Sequence, residues 1–511
     1  MTTTNRFRLI TFGSTLAIVT LVLSFVASQH STRGILLAED SPTRETDGWK
    51  EWPEPETVLV FTGEQHGYIE PCGCTGLENQ KGGLARRHTL LKQISDKGWN
   101  PVPFDVGNQV RRYGRQSEIK FEKTVSSLKT MEYQGVGLGP DDVRLDVGVL
   151  LSKAASEPTE DVLAQFLSAN VTLLDPSLMP THKVVESGSK KIGITSVLDP
   201  ATAGKNLSQD ITIAPMVPSL EKVSKELASR DCDFTVLMFY GGNDAEKTVA
   251  DLARRVPGFD LIVIANEFGE PIYQPQRIED TSSFYILTGH KGMYACLIGL
   301  YKDTRRYRYA RVPLSDRFED SKQMLTSLSD YQKYLETLGL EGLDVREIAH
   351  PSGNKYVGSE TCGECHTTAF DIWKDSPHVH ATESIVRPPN DRGAIARHFD
   401  PECISCHVTG WNAQDFYPYT SGYMDLETSK HLTGSGCENC HGPGSQHVAA
   451  ENGDIDADDE LLTKLRRSMI LPYKKAKERC IDCHDIDNSP GFHEDGAFEE
   501  YWERVKHVGK D

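Results

Sequence analysis

The chain has 511 residues, carries a formal net charge of −19 at pH 7, and is 38% hydrophobic. That length suggests two to four domains, and the apolar content is sufficient for a sizeable core. The acidic charge argues against nucleic acid as a main ligand, because no stretch is basic enough to follow a phosphate backbone.

The first 28 residues have the pattern of an export signal. Arg6 and Arg8 precede an apolar run from residue 9 to 28, and the small residues VAS at 26–28 offer a cleavage site. The run is also long enough to span a bilayer. The segment is therefore either a signal peptide or a membrane anchor, and both alternatives predict export to the periplasm. An uncleaved segment 9–28 would hold the protein at the inner membrane.

The region that follows changes character twice. Residues 29–56 are polar and contain proline, which predicts a linker. From 57 to 315, apolar runs such as TVLVFTG and DFTVLMFYGG alternate with amphipathic segments such as SLEKVSKELASR. These patterns are typical of buried strands and of helices, so we expect an α/β domain, closed by an antiparallel pair formed by residues 283–303 and 307–314. Residues 316–353 are predicted to form a helical connector.

From residue 354 to 511 the regular periodicity fades, and four copies of Cys-x-x-Cys-His occur. This pentapeptide is the attachment signature of c-type haem, in which both thiols become thioethers and the histidine binds iron. Two zinc ribbons would also use Cys-x-x-Cys, but they would leave the histidine that follows every copy unexplained. The sequence therefore predicts four covalently bound haems. Their attachment residues are Cys362, Cys365, Cys403, Cys406, Cys437, Cys440, Cys480 and Cys483. Their proximal iron ligands are predicted to be His366, His407, His441 and His484.

Histidine is concentrated in the same region. Of the 17 histidines, 12 follow residue 349, and eight of these lie outside the four motifs. Iron with two histidine ligands at each haem would need four distal histidines, so the surplus is large enough. A region of this size with four haems has little ordinary core, and the porphyrins are expected to form it.

The stretches CGECHTTAFDIWKDSPHVHA, CISCHVTGW and CENCHGPGSQH make residues 354–490 similar to the tetrahaem cytochrome c family that accepts electrons from hydroxylamine oxidation in nitrifying bacteria. In that family haems stack in close pairs, several irons have two histidine ligands, and one can be five-coordinate. The resemblance implies His378 and His447 as distal ligands, with His431 as a third candidate. The Gly-Pro-Gly turn after His441 would let His447 reach a neighbouring haem.

The haem of His407 has no obvious distal histidine in the sequence. Trp411 follows four positions later and is the candidate to cover the open face of that haem. We therefore expect three low-spin haems and one haem that is high-spin or weakly ligated.

The stretch VLVFTGEQHGYIEPCGC, followed by FDVGNQ, makes residues 57–315 resemble the calcineurin-like metallophosphoesterases, in their 5′-nucleotidase-like branch. Such enzymes hold two metal ions with Asp, His and Asn at strand ends. Here the expected Asp-x-His reads EQH at 64–66, Gly-Asp reads GN at 107–108, and Gly-Asn-His-Glu reads GPDD at 139–142. Of the usual ligands His66 clearly survives, so the domain is predicted to be inactive.

Two cysteines lie close to this surviving histidine. Cys72 and Cys74 follow His66 by six and eight positions, with Glu70 between them and the histidine. One interpretation is a second metal site or a redox site formed by His66, Cys72 and Cys74. The other is a disulfide or a pair of buried thiols, which an oxidising compartment would permit.

The sequence therefore predicts an exported tetrahaem c-type cytochrome that transfers electrons between redox partner proteins, fused to an inactive phosphoesterase-like domain. The main alternative is a multihaem oxidoreductase that acts on a small nitrogen or sulfur compound at the open-site haem. A second alternative is a metal-dependent phosphoesterase with an attached redox module. The number of distal histidine ligands distinguishes the electron carrier from the oxidoreductase. Surviving metal ligands in the N-terminal domain would favour the phosphoesterase.

Overall fold

The structure is a computed structural model that describes residues 48–72, 80–112, 114–154, 166–205, 207–265, 270–302, 307–388, 395–486 and 489–509. The predicted export segment and Cys74 lie outside these residues, and only the backbone of Cys72 is described. Across the described ranges, no helix is long and apolar enough to cross a membrane.

The N-terminal part is built on strands that the alternating apolar runs predict. They are β1 (Thr57–Thr62), β2 (Pro71–Cys72), β3 (Lys81–Gly82), β4 (Pro101–Asp105), β5 (Gly135–Val136), β6 (Val171–Leu173), β7 (His182–Ser187), β8 (Lys190–Leu198), β9 (Ile211–Ile213), β10 (Phe234–Tyr240), β11 (Leu261–Ala265), β12 (Gln276–Arg277), β13 (Phe284–Leu287), β14 (Tyr294–Leu300) and β15 (Tyr307–Pro313). All six residues of β1 are buried, as expected for a strand in a sheet covered on both faces.

These strands form two large mixed sheets. The first has the order β15-β14-β1-β4-β5, with β1, β4 and β5 parallel and β14 and β15 antiparallel to their neighbours. The second has the order β12-β13-β11-β10-β8-β7, in which the four central strands are parallel. The predicted closing pair is thus present as β14 and β15. Strand β13, which precedes it directly, belongs to the second sheet instead.

Helices cover the outer faces of both sheets. They are α1 (Leu84–Asp96), α2 (Arg115–Thr130), α3 (Val147–Ala154), α4 (Met216–Ala228) and α5 (Ala245–Arg255). Between the sheets, Phe61 and Phe104 stack at 5.7 Å and share one apolar core with Val236. Leu220 of α4 and Val249 of α5 pack on the far side of the second sheet. The result is a sandwich of two sheets between two layers of helices.

Residues 48–56, which the sequence pattern assigns to a linker, pack against this sandwich. Trp49 is fully buried and meets the ring of Trp99 edge-on at 6.0 Å, while Trp52 stacks on Trp99 at 6.5 Å. Three indole rings bury a large apolar area. This stretch is therefore part of the domain and not of a linker.

The remainder of the chain is mostly helical. Helix α6 (Lys322–Gly342) packs through Leu328 and Leu335 on Ile119 of α2. The following elements are α7 (Ser359–Gly363), α8 (Thr367–Lys374), α9 (Ala381–Val386), α10 (Pro401–His407), β16 (Trp411–Asn412), β17 (Tyr417–Pro418), α11 (Cys437–His441), α12 (Ser445–Asn452), α13 (Asp459–Ser468), α14 (Tyr473–Ile481) and α15 (Ala497–Val505). The predicted fold class, an α/β sandwich followed by a mostly helical and irregular region, is confirmed.

The apolar clusters of the C-terminal region are small. One contains six buried residues around Trp411 and Tyr423, and another contains three, Ala476, Phe492 and Phe498. Small apolar cores rarely stabilise a region of this size without a metal, a disulfide or a cofactor. Bound haem would supply the missing apolar volume.

Candidate functional site

Each Cys-x-x-Cys-His motif lies at or near the end of a short helix whose limits are set by local residues. Helix α10 begins at Pro401, and the carboxylate of Asp400 caps it by accepting the backbone N–H of Glu402 at 3.0 Å. Helix α11 ends at His441 because Gly442 follows with φ of 81°, a conformation that glycine adopts without steric cost. The two cysteines and the histidine of a motif are therefore presented within one or two helical turns.

The four motifs are brought together in two pairs. The thiol of Cys362, in the first motif, lies beside that of Cys437 in the third, and their hydrogen bond raises the pKa of Cys362 and lowers that of Cys437. In the same way, the thiols of Cys406 and Cys483 join the second motif to the fourth. Haems attached at these positions would be held in two close pairs.

Glu438 ties the first motif to the third. It occupies a variable position of its own motif and is 1% exposed. Its carboxylate accepts the backbone N–H groups of Val357 at 3.0 Å, Gly358 at 2.8 Å and Gly444 at 2.8 Å. Burial raises the pKa of Glu438, and these backbone hydrogen bonds oppose the rise. The charge-assisted bonds fix the segment before helix α7 against the Gly-Pro-Gly turn.

Three proximal histidines have a hydrogen-bond partner at Nδ1, and in two of them it is a carbonyl oxygen that fixes the tautomer. Nδ1 of His407 lies 2.7 Å from the carbonyl oxygen of Ala381, and Nδ1 of His441 lies 2.6 Å from that of Met469. Nδ1 of His484 lies 3.1 Å from the hydroxyl of Ser489. Because a carbonyl oxygen only accepts, the proton of His407 and of His441 must sit on Nδ1. The Nε2 lone pair is then available to a metal, as in ligating histidines generally.

Burial keeps these rings neutral. It lowers the pKa of His407 and of His441, and it lowers that of His484 to about 4. The pKa of His378 is lowered for the same reason. A neutral imidazole is the form that binds a metal ion.

Three proximal histidines face a second histidine ring. The ring centroids are 6.3 Å apart for His366 and His447, and 6.1 Å apart for His484 and His378. Two imidazoles on opposite sides of one metal atom have ring centres about 6 Å apart, since a metal–nitrogen bond is about 2 Å long and the ring centre lies about 1 Å beyond. The spacing of both pairs therefore fits two ligands on one iron.

The third pair joins His441 to His507, at 5.6 Å between ring centroids. Nδ1 of His507 lies 2.9 Å from the carbonyl oxygen of Val505, so its Nε2 is again the free nitrogen. His431, the candidate favoured by its position in the sequence, lies elsewhere, next to the backbone of Gly358. His507 is a residue that the sequence pattern did not single out, because it lies 66 positions from His441 and in no motif.

His407 differs from the other three proximal histidines. Over the ranges that the structure describes, no histidine ring is paired with it. Trp411 belongs to the apolar cluster around Tyr423, and its indole N–H donates to the carbonyl oxygen of Tyr423 at 2.6 Å. Trp411 is therefore a core residue of this cluster, and its covering of the haem of His407 stays a prediction.

The loops that would carry metal ligands in the N-terminal domain hold an arginine instead. Arg87 of α1 is fully buried, and Nη1 lies 3.3 Å from a carboxylate oxygen of Asp105, at the end of β4. Its other terminal nitrogen donates to the side-chain oxygen of Gln65, which follows β1. Asp105 also accepts the hydroxyl of Thr62 at 2.6 Å and the amide of Gln109 at 2.7 Å. A guanidinium group thus provides the positive charge between these strand ends.

The other two loops are occupied by hydrogen bonds within the chain. The carboxylate of Asp142 accepts the backbone N–H groups of Asn108 at 2.7 Å, Gln109 at 2.7 Å and Gly139 at 3.0 Å. Burial raises its pKa to about 7. The side-chain amide of Asn108 donates to the hydroxyl of Tyr240 at 3.1 Å. Asp142 and Asn108 therefore hold the loops together and do not converge as metal ligands.

Within the described residues, no group of three or more His, Cys, Asp or Glu side chains could hold a metal ion. This donor set does not fit the two metal ions that the resemblance implies. His66 is half-buried, and its backbone N–H donates to the carbonyl oxygen of Asn108 at 3.1 Å. A site formed by His66, Cys72 and Cys74 stays a prediction, because the two thiols lie outside the described residues.

Comparisons with known proteins assign the two halves to different relatives. Residues 361–442 match the family model described as cytochrome c554 and c-prime. Cytochrome c-554 of Nitrosomonas europaea is 29% identical over 149 residues, which cover 26% of this chain and 60% of that protein. Snake venom 5′-nucleotidase of Naja atra is 24% identical over 221 residues, which cover 41% of this chain and 40% of that protein.

Among solved structures, the 5′-nucleotidase precursor from Thermus thermophilus aligns with a TM-score of 0.47 at 17% identity, covering 65% of this chain and 66% of that one. The C-terminal region is similar to cytochrome c554, and the N-terminal region to 5′-nucleotidases. Both resemblances that the motifs predict are confirmed. The likeness of the C-terminal region to cytochrome c554 implies covalently bound haem c, and the observed histidine pairs and tautomers fit that cofactor.

The buried pair of Arg87 and Asp105 leads to a prediction about stability. Replacing Arg87 by methionine would leave the carboxylate of Asp105 buried without its cation, which costs about 3–5 kcal/mol. We expect the free energy of unfolding of the N-terminal domain to fall by this amount in the full-length protein. Urea unfolding followed by circular dichroism would measure it.

Two variants test the cause of that loss. Arg255→Met removes an exposed arginine that is paired with Asp251, and we expect a change below about 1 kcal/mol. Arg87→Met combined with Asp105→Asn should lose less than Arg87→Met alone, because no unpaired charge stays buried. A loss under about 1 kcal/mol for Arg87→Met would contradict a structural role for the guanidinium group.

Proposed function

We propose that this protein is an exported tetrahaem c-type cytochrome that transfers electrons between redox partner proteins, and that its phosphoesterase-like domain is catalytically inactive. The observation that supports it most directly is the set of three histidine pairs with ring spacings of 5.6–6.3 Å. An iron with two histidine ligands has no free position, which suits a carrier of electrons.

We assign the ligands of the four proposed haems as follows. Each pair of motif cysteines would bind one haem, and the histidine that follows would be its proximal ligand. The distal ligands would be His447 opposite His366, His378 opposite His484, and His507 opposite His441. Haem c supplies a one-electron couple, and the protein sets its potential through the axial ligands, hydrogen bonds and burial.

The pairing of motifs supports electron transfer along the domain. The contact between Cys362 and Cys437 links the first and third sites, and the contact between Cys406 and Cys483 links the second and fourth. The ring pair of His378 and His484 then joins the segment after the first motif to the fourth motif. Each of the four motifs therefore contacts at least one other motif, which would place every haem close to another haem.

One observation favours a second candidate function. His407 is the single proximal histidine without a histidine ring opposite it in the described residues, so its haem would have an open position. A small nitrogen or sulfur compound could bind there, and the protein would then be a multihaem oxidoreductase. The spin state of this haem distinguishes the carrier from the enzyme.

Haem content tests the first part of the proposal. The mature protein should carry four covalently bound haems, because four motifs each present two thiols. The pyridine haemochrome assay and the intact mass of the purified chain would measure the number. A content of two or fewer haems per chain would overturn the tetrahaem assignment, and Cys403→Ala with Cys406→Ala should remove one haem only.

Electron paramagnetic resonance tests the axial ligands. We expect three low-spin haems and one high-spin haem in the wild-type protein. His507→Ala should convert one further haem to high spin without releasing it, because the thioether bonds remain. His431→Ala is the matched control and should leave the spectrum unchanged. The reverse result for these two variants would transfer the distal role from His507 to His431.

Hydrolysis assays test the proposed inactivity of the phosphoesterase-like domain. With manganese, zinc or calcium supplied, we expect turnover of phosphomonoesters and nucleotides well below the ordinary enzymatic range of about 1–1000 per second. The reason is that Arg87 and the hydrogen-bonded loops replace the expected ligands. If activity in that range is found and His66→Ala abolishes it, the domain is an enzyme. Activity that survives this substitution belongs to a contaminant.

A further inference from the structure

The second haem-binding motif is attached to the N-terminal domain by buried polar contacts. Nζ of Lys120, on helix α2, lies 2.6 Å from a carboxylate oxygen of Glu402, which immediately precedes Cys403. The side chains of Lys120 and Glu402 are 13% and 24% exposed. Arg112 also reaches this carboxylate, at 3.7 Å. A charge of the N-terminal domain is thus placed directly beside a thioether position.

A second bridge starts from the loop that carries the former metal-ligand positions. Glu70 follows residues 64–66 and accepts two hydrogen bonds from the guanidinium group of Arg397, one of them at 2.7 Å. The side chain of Arg397 is 10% exposed. This bidentate geometry fixes orientation as well as distance. The loop therefore contacts the chain six residues before Cys403.

Asp400 completes the contact at the start of helix α10. Besides capping that helix, its carboxylate accepts the side-chain amide of Gln116 at 2.6 Å and the hydroxyl of Tyr331 at 3.3 Å. Gln116 lies on α2 and Tyr331 on α6, so neither belongs to the haem-binding region. The helix that carries Cys403, Cys406 and His407 is thus held at its first turn from outside its own domain.

Buried ion pairs of this kind are weak evidence for net stability, because desolvation offsets much of the attraction. They are stronger evidence for geometry, since losing one member leaves the other buried and unpaired. Three acidic groups and three basic groups surround Cys403 and balance one another: Asp400, Glu402 and Glu70 with Lys120, Arg112 and Arg397. The charge felt at this motif therefore depends on residues of the phosphoesterase-like domain.

We propose that the phosphoesterase-like domain has become a positioning domain for the haem bound by Cys403 and Cys406, with Lys120 as the positioning residue. Lys120 holds Glu402 in place and neutralises its charge, and Glu70 performs the matching role for Arg397. The inference rests on the proposed function insofar as a haem must be attached at this motif. Without Lys120, the uncompensated negative charge favours the ferric form and lowers the potential of that haem.

The test is a redox titration of the full-length holoprotein, with each of the four haems followed by electron paramagnetic resonance. In Lys120→Met we expect one haem to become harder to reduce by about tenfold in its equilibrium constant, which is about 59 mV for a one-electron couple. The other three potentials should stay unchanged. Lys120→Arg should restore most of the wild-type value, because it keeps the charge.

Matched variants distinguish a local effect of charge on one haem potential from a general effect on all four. Lys129→Met removes an exposed lysine from the same helix, and we expect all four potentials to stay at their wild-type values. Glu402→Gln should shift the same haem in the opposite direction, and this variant serves if Lys120→Met does not mature. Combining the two substitutions should bring that potential back towards the wild type.

Unchanged potentials in both Lys120→Met and Glu402→Gln would overturn the proposal, and so would an equal shift of all four haems. The haem content of every sample is measured by intact mass. A wild-type chain with fewer than four haems counts against the tetrahaem assignment, whereas a fully loaded variant without the shift counts against the positioning role of Lys120.

Discussion

The pairing of cysteines from different motifs is the constraint on which the proposed arrangement of haems depends. If each motif holds one haem as proposed, the contacts between Cys362 and Cys437 and between Cys406 and Cys483 would bring the haems together in two pairs. The small apolar clusters around Trp411 and Phe492 pack beside these contacts and cannot organise the region alone. Buried polar groups such as Glu438 supply the remaining order, because each backbone N–H they satisfy fixes a segment next to a motif.

The loops at the strand ends of the N-terminal domain have a strained backbone that polar contacts hold in place. Glu64, His66 and Asn108 all have positive φ angles, 51°, 52° and 62°, a conformation that is strained in most residues other than glycine and needs support from the surrounding structure. Here hydrogen bonds to Asp142 and the ion pair of Arg87 with Asp105 stabilise these loops. A guanidinium group and these hydrogen bonds therefore occupy the loops in which the resemblance implies metal ligands.

The sequence predicted the parts of this molecule that depend on local spacing. Cys-x-x-Cys-His and the alternating apolar runs are short-range patterns, and they are sufficient to predict the α/β sandwich and the resemblance to c-type cytochromes. The partner of His441 could not be found in this way, because His507 reaches it through the fold of helices α13 to α15. His431 was favoured only because it lies six residues before Cys437. The burial of Trp49 and Trp52 was missed for a similar reason, since the surrounding residues are polar.

Arg87 and Lys120 are further cases in which sequence reasoning had no signal. Both lie on ordinary amphipathic helices, and a lysine or an arginine there is normally solvated. Their roles follow from contacts with residues distant in the sequence. Arg87 contacts Asp105 and Gln65, and Lys120 contacts Glu402. Arg87 lies among the loops in which the resemblance implies metal ligands. Lys120 lies where the N-terminal domain contacts the second Cys-x-x-Cys-His motif. In the proposed positioning role, these two cations and the loop 64–70 would act on the neighbouring motif through charge and position.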